Sequence, residues 1–244
     1  HWDDVTLLLD GSHPTNNLKS GGATITNPVN GVTATTTDPG SHPYATSFLE
    51  FNATVAKKLT IANDANVAFG NDDFTIEAWI YINSNAPVTT TASTWPVLFD
   101  ARSTGSNGLI FYIQNLGSGP KLVQNLFGDR IRGTTSLAVS TWYHVALTVK
   151  DNDAKIFVDG NLEGSWYSGN NSFTPATNLS HIELGFRSYT SAAISRFNGH
   201  MADIRITKGV ARDIVPPTAS LSTPVYTLPT TGVLSLAEHY QSKL

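Results

Sequence analysis

Hydrophobic positions in this chain recur every second residue, in short runs bounded by glycine, proline, asparagine and aspartate. The clearest run predicts a strand over Phe74–Ile82. Phe74, Ile76, Ala78, Ile80 and Ile82 share one face, while Thr75, Glu77, Trp79 and Tyr81 share the other. The first face suits an inter-sheet core. The second, with two aromatics and a carboxylate, is neither fully wet nor simply buried. A second run has Tyr143, Val145, Leu147 and Val149 alternating with His144, Ala146 and Thr148. Asp151-Asn152-Asp153 then turns the chain into Lys155–Val158, and Asp159-Gly160 begins another reversal. Asp-Gly between β-formers is a hairpin signal, because glycine tolerates the positive φ of a tight turn. Two hairpins in succession make a meander.

Further strands are predicted at Val5–Leu9, Ser47–Phe51, Pro96–Asp100, Leu109–Gln114, Lys121–Leu126, Ile182–Phe186 and His200–Ile206. Segments 83–95, 168–178 and 188–198 read as loops at one end of the fold, where binding function is often carried. Pro216, Pro217, Pro224 and Pro229 break any ladder, so 213–232 reads as an extended strap. Leu236 and Tyr240, four apart, make Ser235–Lys243 the one helix candidate. The expected organisation is one all-β, two-sheet antiparallel β-sandwich over residues 1–215, then a Pro-rich strap and tail over 216–244.

Composition narrows the function classes. Charged residues are 14% of the 244, against roughly 25% in an average globular protein, so the polar surface comes from Thr, Ser, Asn and Gly. A net charge of −4 offers no footprint for nucleic acid or anionic lipid. No apolar run reaches the ~18 residues of a membrane-spanning helix. Zero cysteines exclude disulfides, thiolate zinc sites and a thiol nucleophile. The start at His1, followed by acidic residues, lacks a signal-peptide n-region and points to residues upstream. Three Asn-x-Ser/Thr sites, at Asn52, Asn170 and Asn178, are expected by chance in a chain this rich in those residues.

Five ordered segments together resemble the laminin-G-like, concanavalin A-like jelly-roll family. They are FTIEAWIY (74–81), WYHVALTV (142–149), KIFVDG (155–160), IELG (182–185) and FNGHMADIRI (197–206). With VTLLLDG at the start, the resemblance spans about residues 3–215. It implies two antiparallel sheets with the N-terminal strand near the last one. The run Asp203–Arg212 resembles the form found in bacteriophage structural proteins, and the ending from Gly232 has a similar flavour. The leading expectation is therefore a virion head or tail decoration or fibre domain that engages host-surface glycans. It would be assembled in the host cytoplasm, with the C-terminal tail docked on neighbouring virion subunits. The alternatives are an extracellular carbohydrate-binding or adhesion module of a larger protein, and a polysaccharide hydrolase or lyase.

Catalysis finds little support in the residues. Glucan hydrolases of this fold place paired carboxylates on one strand as Glu-x-Asp-x-x-Glu. None of Glu50, Glu77, Glu163, Glu183 and Glu238 has Asp two residues later. A lyase reading would need Tyr143 and His144 together, but neighbours on a strand face opposite ways. Glu77 reads as a carboxylate paired across the sheet, and His144 as a packed strand residue. No cofactor is required. For a structural calcium, Asp203 stands where the resembling motif has acidic residues, while Ala202 departs from it. Asp72-Asp73 and Asp151-x-Asp153 are acidic turns with ordinary turn chemistry at hand. Sugar binding would use aromatic plates against pyranose C–H faces, with polar neighbours for the hydroxyls. The loop candidates are Trp95, Trp166, Tyr167 and Tyr189, with Arg187 and Arg196 as added donors. Each aromatic could equally plug an end of the sandwich.

Overall fold

The computed structural model describes residues 2–214 except 28–30, 53–56, 63, 85, 87–94, 103–107, 116, 127–128, 168–180 and 188–195. The strap and tail, the helix candidate, Tyr189 and most of the three long loops lie outside the described residues. Among the described residues the only helical element is a single turn at Trp2–Asp4.

Two antiparallel sheets carry the chain. Sheet A is built from β1 (Val5–Leu9), β3 (Thr33–Thr35), β4 (Phe48–Phe51), β6 (Phe74–Ile82), β11 (Trp142–Lys150), β12 (Asp153–Val158), β13 (Asn161–Tyr167) and β15 (Gly199–Lys208). Its order is β13-β12-β11-β6-β15-β4-β3, with β1 also pairing β15. Sheet B holds β2 (Ile25–Thr26), β5 (Leu59–Ala62), β7 (Val97–Arg102), β8 (Gly108–Asn115), β9 (Pro120–Leu126), β10 (Asp129–Arg132) and β14 (His181–Leu184). They run in the order β10-β9-β8-β7-β14-β5-β2. This is the expected jelly-roll sandwich, and β1 lies against the last strand as the resemblance implied.

The alternation read from the sequence decides which side chains meet. Phe74, Ile76, Ile80 and Ile82 on β6 join Val145, Leu147 and Val149 on β11 in one core with Phe99, Phe111 and Ile113 of sheet B. Period-2 spacing puts these residues on inner faces and sends their neighbours outward. Both predicted hairpins form with positive φ at the two central residues, 50° and 64° at Asp151 and Asn152, then 48° and 77° at Asp159 and Gly160. That is the turn whose twist matches the flanking strands.

Each sheet therefore has a patterned outer face. On sheet A it carries Glu77, Trp79, Tyr81, Trp142, His144 and Arg205. Sheet B presents Val97, Asp100, Ile110, Tyr112, Gln114, Lys121 and Val123. The latter set follows from the register: Ile110, Tyr112 and Gln114 alternate with the core residues Leu109, Phe111 and Ile113, and Tyr112 faces Val123 while Gln114 faces Lys121.

Candidate functional site

The outer face of sheet A is closed by its own chemistry. Glu77 is 2% exposed. Its Oε1 accepts a hydrogen bond from Arg205 Nε at 2.7 Å and another from Arg212 Nη1. His144 Nε2 stands 3.3 Å from Oε2. Burial alone would raise the Glu77 pKa, but the Arg205 guanidinium and His144 hold it below the usual carboxylate range. Register places Arg205 beside Glu77 on one side and Ala146 on the other, so no second carboxylate stands opposite for acid–base work on a glycosidic bond. Tyr143 points the other way, its hydroxyl accepting from Ala138 N at 3.0 Å, and packs against the core.

Farther along the same face, segment 38–45 covers Trp79, Tyr81 and Trp142. Asp38 accepts hydrogen bonds from Gly40 N at 2.8 Å, from Trp142 Nε1 at 3.1 Å and from His42 N. His42 Nδ1 accepts from Tyr44 N and Ala45 N at 3.0 and 2.7 Å. Its ring lies edge-on to Trp79 and Trp142, with centroids 4.8 and 4.6 Å away. Burial pushes the imidazole down to about 4, outweighing the nearby Asp38 carboxylate. Tyr81 Oη donates to Pro39 O at 2.9 Å, and a Cβ on Gly40 would meet the Tyr81 ring at 2.3 Å. The segment seats on the aromatics because glycine leaves room there. His42 Nε2 and Trp79 Nε1 have no partner, but both are sealed beneath it.

Sheet B presents a different outer face. Val97, Ile110, Tyr112 and Val123 form an apolar cluster, each 5% exposed or less, with the half-buried Trp95 packed against it. Ile113 N donates to Pro96 O at 2.9 Å, which carries the β7–β8 register one step beyond Val97↔Tyr112. Trp95 is thereby brought opposite Gln114, whose partner on the other side is Lys121. The result is a cross-strand row of aromatic, amide and ammonium, Trp95–Gln114–Lys121. Trp95 Nε1 and Gln114 Oε1 are buried atoms with no hydrogen-bond partner. Lys121 is half-buried, and no carboxylate among the described residues pairs with it. The row sits beside the β8–β9 turn, where Gly117 and Gly119 take φ near 90° and Gly117 N donates to Asn115 Oδ1 at 2.9 Å.

At the far end of that face the charges are matched. Asp100 accepts from Arg102 Nε and Nη2 at 2.9 and 3.1 Å, and Arg187 Nε lies 4.0 Å away. Burial nonetheless raises the Asp100 pKa above its ordinary value. Lys58 Nζ donates to Glu183 Oε1 at 2.5 Å.

The sequence candidates do not converge. Trp95 lies on the sheet B face just described. Trp166 is on β13, opposite the core residue Ala154, and packs against the core, so it plugs the sandwich. Its neighbour Tyr167 is 66% exposed on the edge of sheet A. Asp203 is buried at the β15 bulge with a φ of 49°, between residues that pair with β4 and with β1. Among the described residues no three His, Asp or Glu gather to hold a metal ion, around Asp203 or elsewhere. Sequence reasoning missed Gln114 and Lys121. Their signal was available, because turning the predicted strands 109–114 and 121–126 into a hairpin sets the two residues face to face.

Among the described residues a cavity of about 400 Å³ is lined by Gly11, Ser12, Ala34, Thr35, Thr36 and Ser47. It offers hydroxyls but no aromatic plate and no charge.

A family model described as the concanavalin A-like lectin/glucanases superfamily, of the Laminin_G_3 type, matches residues 54–212, more than half of the chain. No curated protein sequence matches it significantly. Among solved structures, the binding domain of Paraclostridial Mosquitocidal Protein 1 aligns with a TM-score of 0.65 at 15% identity, covering 87% of this chain and 50% of that one. Domain 4 of AbnA, a GH43 extracellular arabinanase from Geobacillus stearothermophilus solved with arabinotriose, aligns at 0.57 and 14% identity, covering 86% of this chain and 95% of that domain. A Trypanosoma rangeli sialidase aligns at 0.54 and 15% identity, covering 84% of this chain and 31% of the enzyme. The chain thus spans half of the mosquitocidal binding domain and under a third of the sialidase. At these identities the likeness is one of fold.

Proposed function

The chain belongs to the concanavalin A-like lectin/glucanases superfamily, and from that premise we propose that it is a non-catalytic glycan-binding module whose site is the outer face of sheet B at Trp95, Tyr112 and Gln114. One observation carries this reading. Half-buried Trp95 packs on the apolar cluster of sheet B in the same cross-strand row as Gln114 and Lys121, and Trp95 Nε1 and Gln114 Oε1 are buried atoms with no hydrogen-bond partner. Leaving such groups unpaired costs about 1–3 kcal/mol each. A sugar stacked on the half-buried indole meets these two atoms only once their cover opens, and its hydroxyls then both donate and accept. Support for a binding rather than catalytic role comes from Glu77, which is spent on Arg205 and Arg212. The mosquitocidal binding domain and AbnA domain 4, which was solved with arabinotriose, are of the same fold. The test is a glycan array read with the native chain and Trp95→Ala. Retained binding by the native chain and a loss of about tenfold or more in the variant are expected. An array on which the native chain binds nothing overturns the proposal.

The setting proposed for this module is a bacteriophage virion, as a head or tail decoration or fibre domain. Its support is the resemblance of Asp203–Arg212 to phage structural proteins and the sparsely charged Thr/Asn/Gly surface. Within the fold that run has structural work, since it supplies most of β15 and both arginines on Glu77. Residues 216–244 are proposed as the segment that docks on neighbouring subunits. Removing 218–244 is expected to abolish incorporation into particles, and unchanged incorporation contradicts the docking role.

A further inference from the structure

We propose that the sheet B site selects acidic saccharides, with the sugar stacked at Trp95 and its carboxylate or sulfate placed against Lys121. This deepens the reading above and rests on it.

The argument is one of charge placement along a single sheet face. β9 turns Leu122 and Leu126 inward and Lys121, Val123 and Asn125 outward, so Lys121 emerges on the same face as Tyr112 and Gln114. Of the other cations on sheet B, Lys58 is held by Glu183 at 2.5 Å, and Arg102 is held by Asp100 at 2.9 Å with Arg187 beside it. Those charges are answered within the protein. Lys121 is not, for no carboxylate among the described residues lies within ion-pair distance of it. The matched carboxylates also sit far from it. Asp100 pairs with Ile110, four residues before Gln114 on β8, so roughly 13 Å of strand separates the two rows. Glu163, nearer to this end of β9, is held by the amides and hydroxyls of Thr134 and Thr135.

The geometry also fits the size of one sugar. Adjacent strands lie about 4.8 Å apart, so Trp95, Gln114 and Lys121 span about 10 Å across β7, β8 and β9. That is the length of a pyranose carrying a charged substituent. The half-buried indole takes the ring face and the half-buried ammonium takes the anion, with Gln114, 7% exposed, between them. Lys121 is half-buried, so the pair forms with part of the screening by water removed, and charge-assisted hydrogen bonds are about twice as strong as neutral ones.

The experiment prints each neutral oligosaccharide beside its sialylated, uronic acid and sulfated forms and probes them with the native chain, Lys121→Gln, Lys121→Arg and Trp95→Ala. The native chain is expected to prefer an acidic form over its neutral parent by about tenfold, which is ~1.4 kcal/mol. Lys121→Gln should erase that preference while keeping binding to the neutral parent, and Lys121→Arg should restore it. Which acidic form wins separates a carboxylate from a sulfate ligand. Equal binding of neutral and acidic forms, or an unchanged preference in Lys121→Gln, overturns this inference. If Trp95→Ala still abolishes binding in that case, the glycan-binding proposal itself stands. Lys121 makes no ion pair with the described residues, so thermal unfolding of Lys121→Gln should match the native chain and exclude misfolding as the cause.

Discussion

At the residue scale, one buried side chain works against the fold. Gln124 on β9 is 0% exposed, opposite the core residue Phe111, and neither its Oε1 nor its Nε2 has a partner. An unpaired amide among apolar neighbours carries its desolvation cost uncompensated. Gln124→Met keeps the length of the side chain and removes both polar atoms. It should stabilise the protein by about 1–2 kcal/mol, read as a higher denaturant midpoint at unchanged slope. A lower midpoint would show that the amide is satisfied in solution. Glu77 is the opposite case. The sequence showed only a lone carboxylate on an outward face, and its pairing across the sheet could be anticipated because no catalytic partner followed it. Arg212 could not be anticipated, since it reaches Glu77 from beyond the end of β15.

Legibility at the level of elements followed side-chain size and strand length. Strands with large alternating residues, such as Phe74–Ile82 and Trp142–Lys150, were predicted to within a residue. β2, β3 and β5, of two to four residues and rich in Thr and Ala, were not, because their pairing is imposed by β4, β14 and the core. β13 was implied by the second hairpin, but its extent was not legible, for another reason. Glu163 forms its bulge and turns back to accept from Thr134 N and Thr135 N at 2.6 and 2.7 Å, which breaks the alternation. Segment 38–45 reads as loop in sequence, yet it is the lid of the sheet A aromatics. It also makes the fold acid-sensitive. With its pKa at about 4, His42 stays neutral while the unfolded chain takes a proton near 6.5. Stability is then complete above 6.5 and declines as pH falls toward 4, by at most ~3 kcal/mol from this group. His200, lowered in the same direction by burial, adds to the slope. The lowered carboxylates Asp38, Glu77 and Glu163 lose their contribution only below their own unfolded values, beneath most of this window. His42→Asn, which keeps an acceptor for Tyr44 N and Ala45 N, should flatten the loss between pH 6.5 and 4.5 in chemical denaturation. An unchanged slope assigns the acid sensitivity elsewhere.

For the whole molecule, the two outer faces divide the work. Sheet A spends its charges and aromatics internally, at Glu77 and beneath segment 38–45. Sheet B leaves an aromatic, an amide and an ammonium in one row. Fold class was legible because period-2 patterning and hairpin turns are local. The proposed site was only partly legible. It spans three strands, and scanning loops for aromatics named Trp95 together with Trp166, which packs against the core, and Tyr167, which stands on an edge. The most direct measurement is backbone deuterium exchange with and without the tightest-binding saccharide. Slowed exchange confined to residues 95–97, 112–115 and 120–123 is predicted. Protection on β6, β11 and segment 38–45 instead, with none on sheet B, would contradict the account.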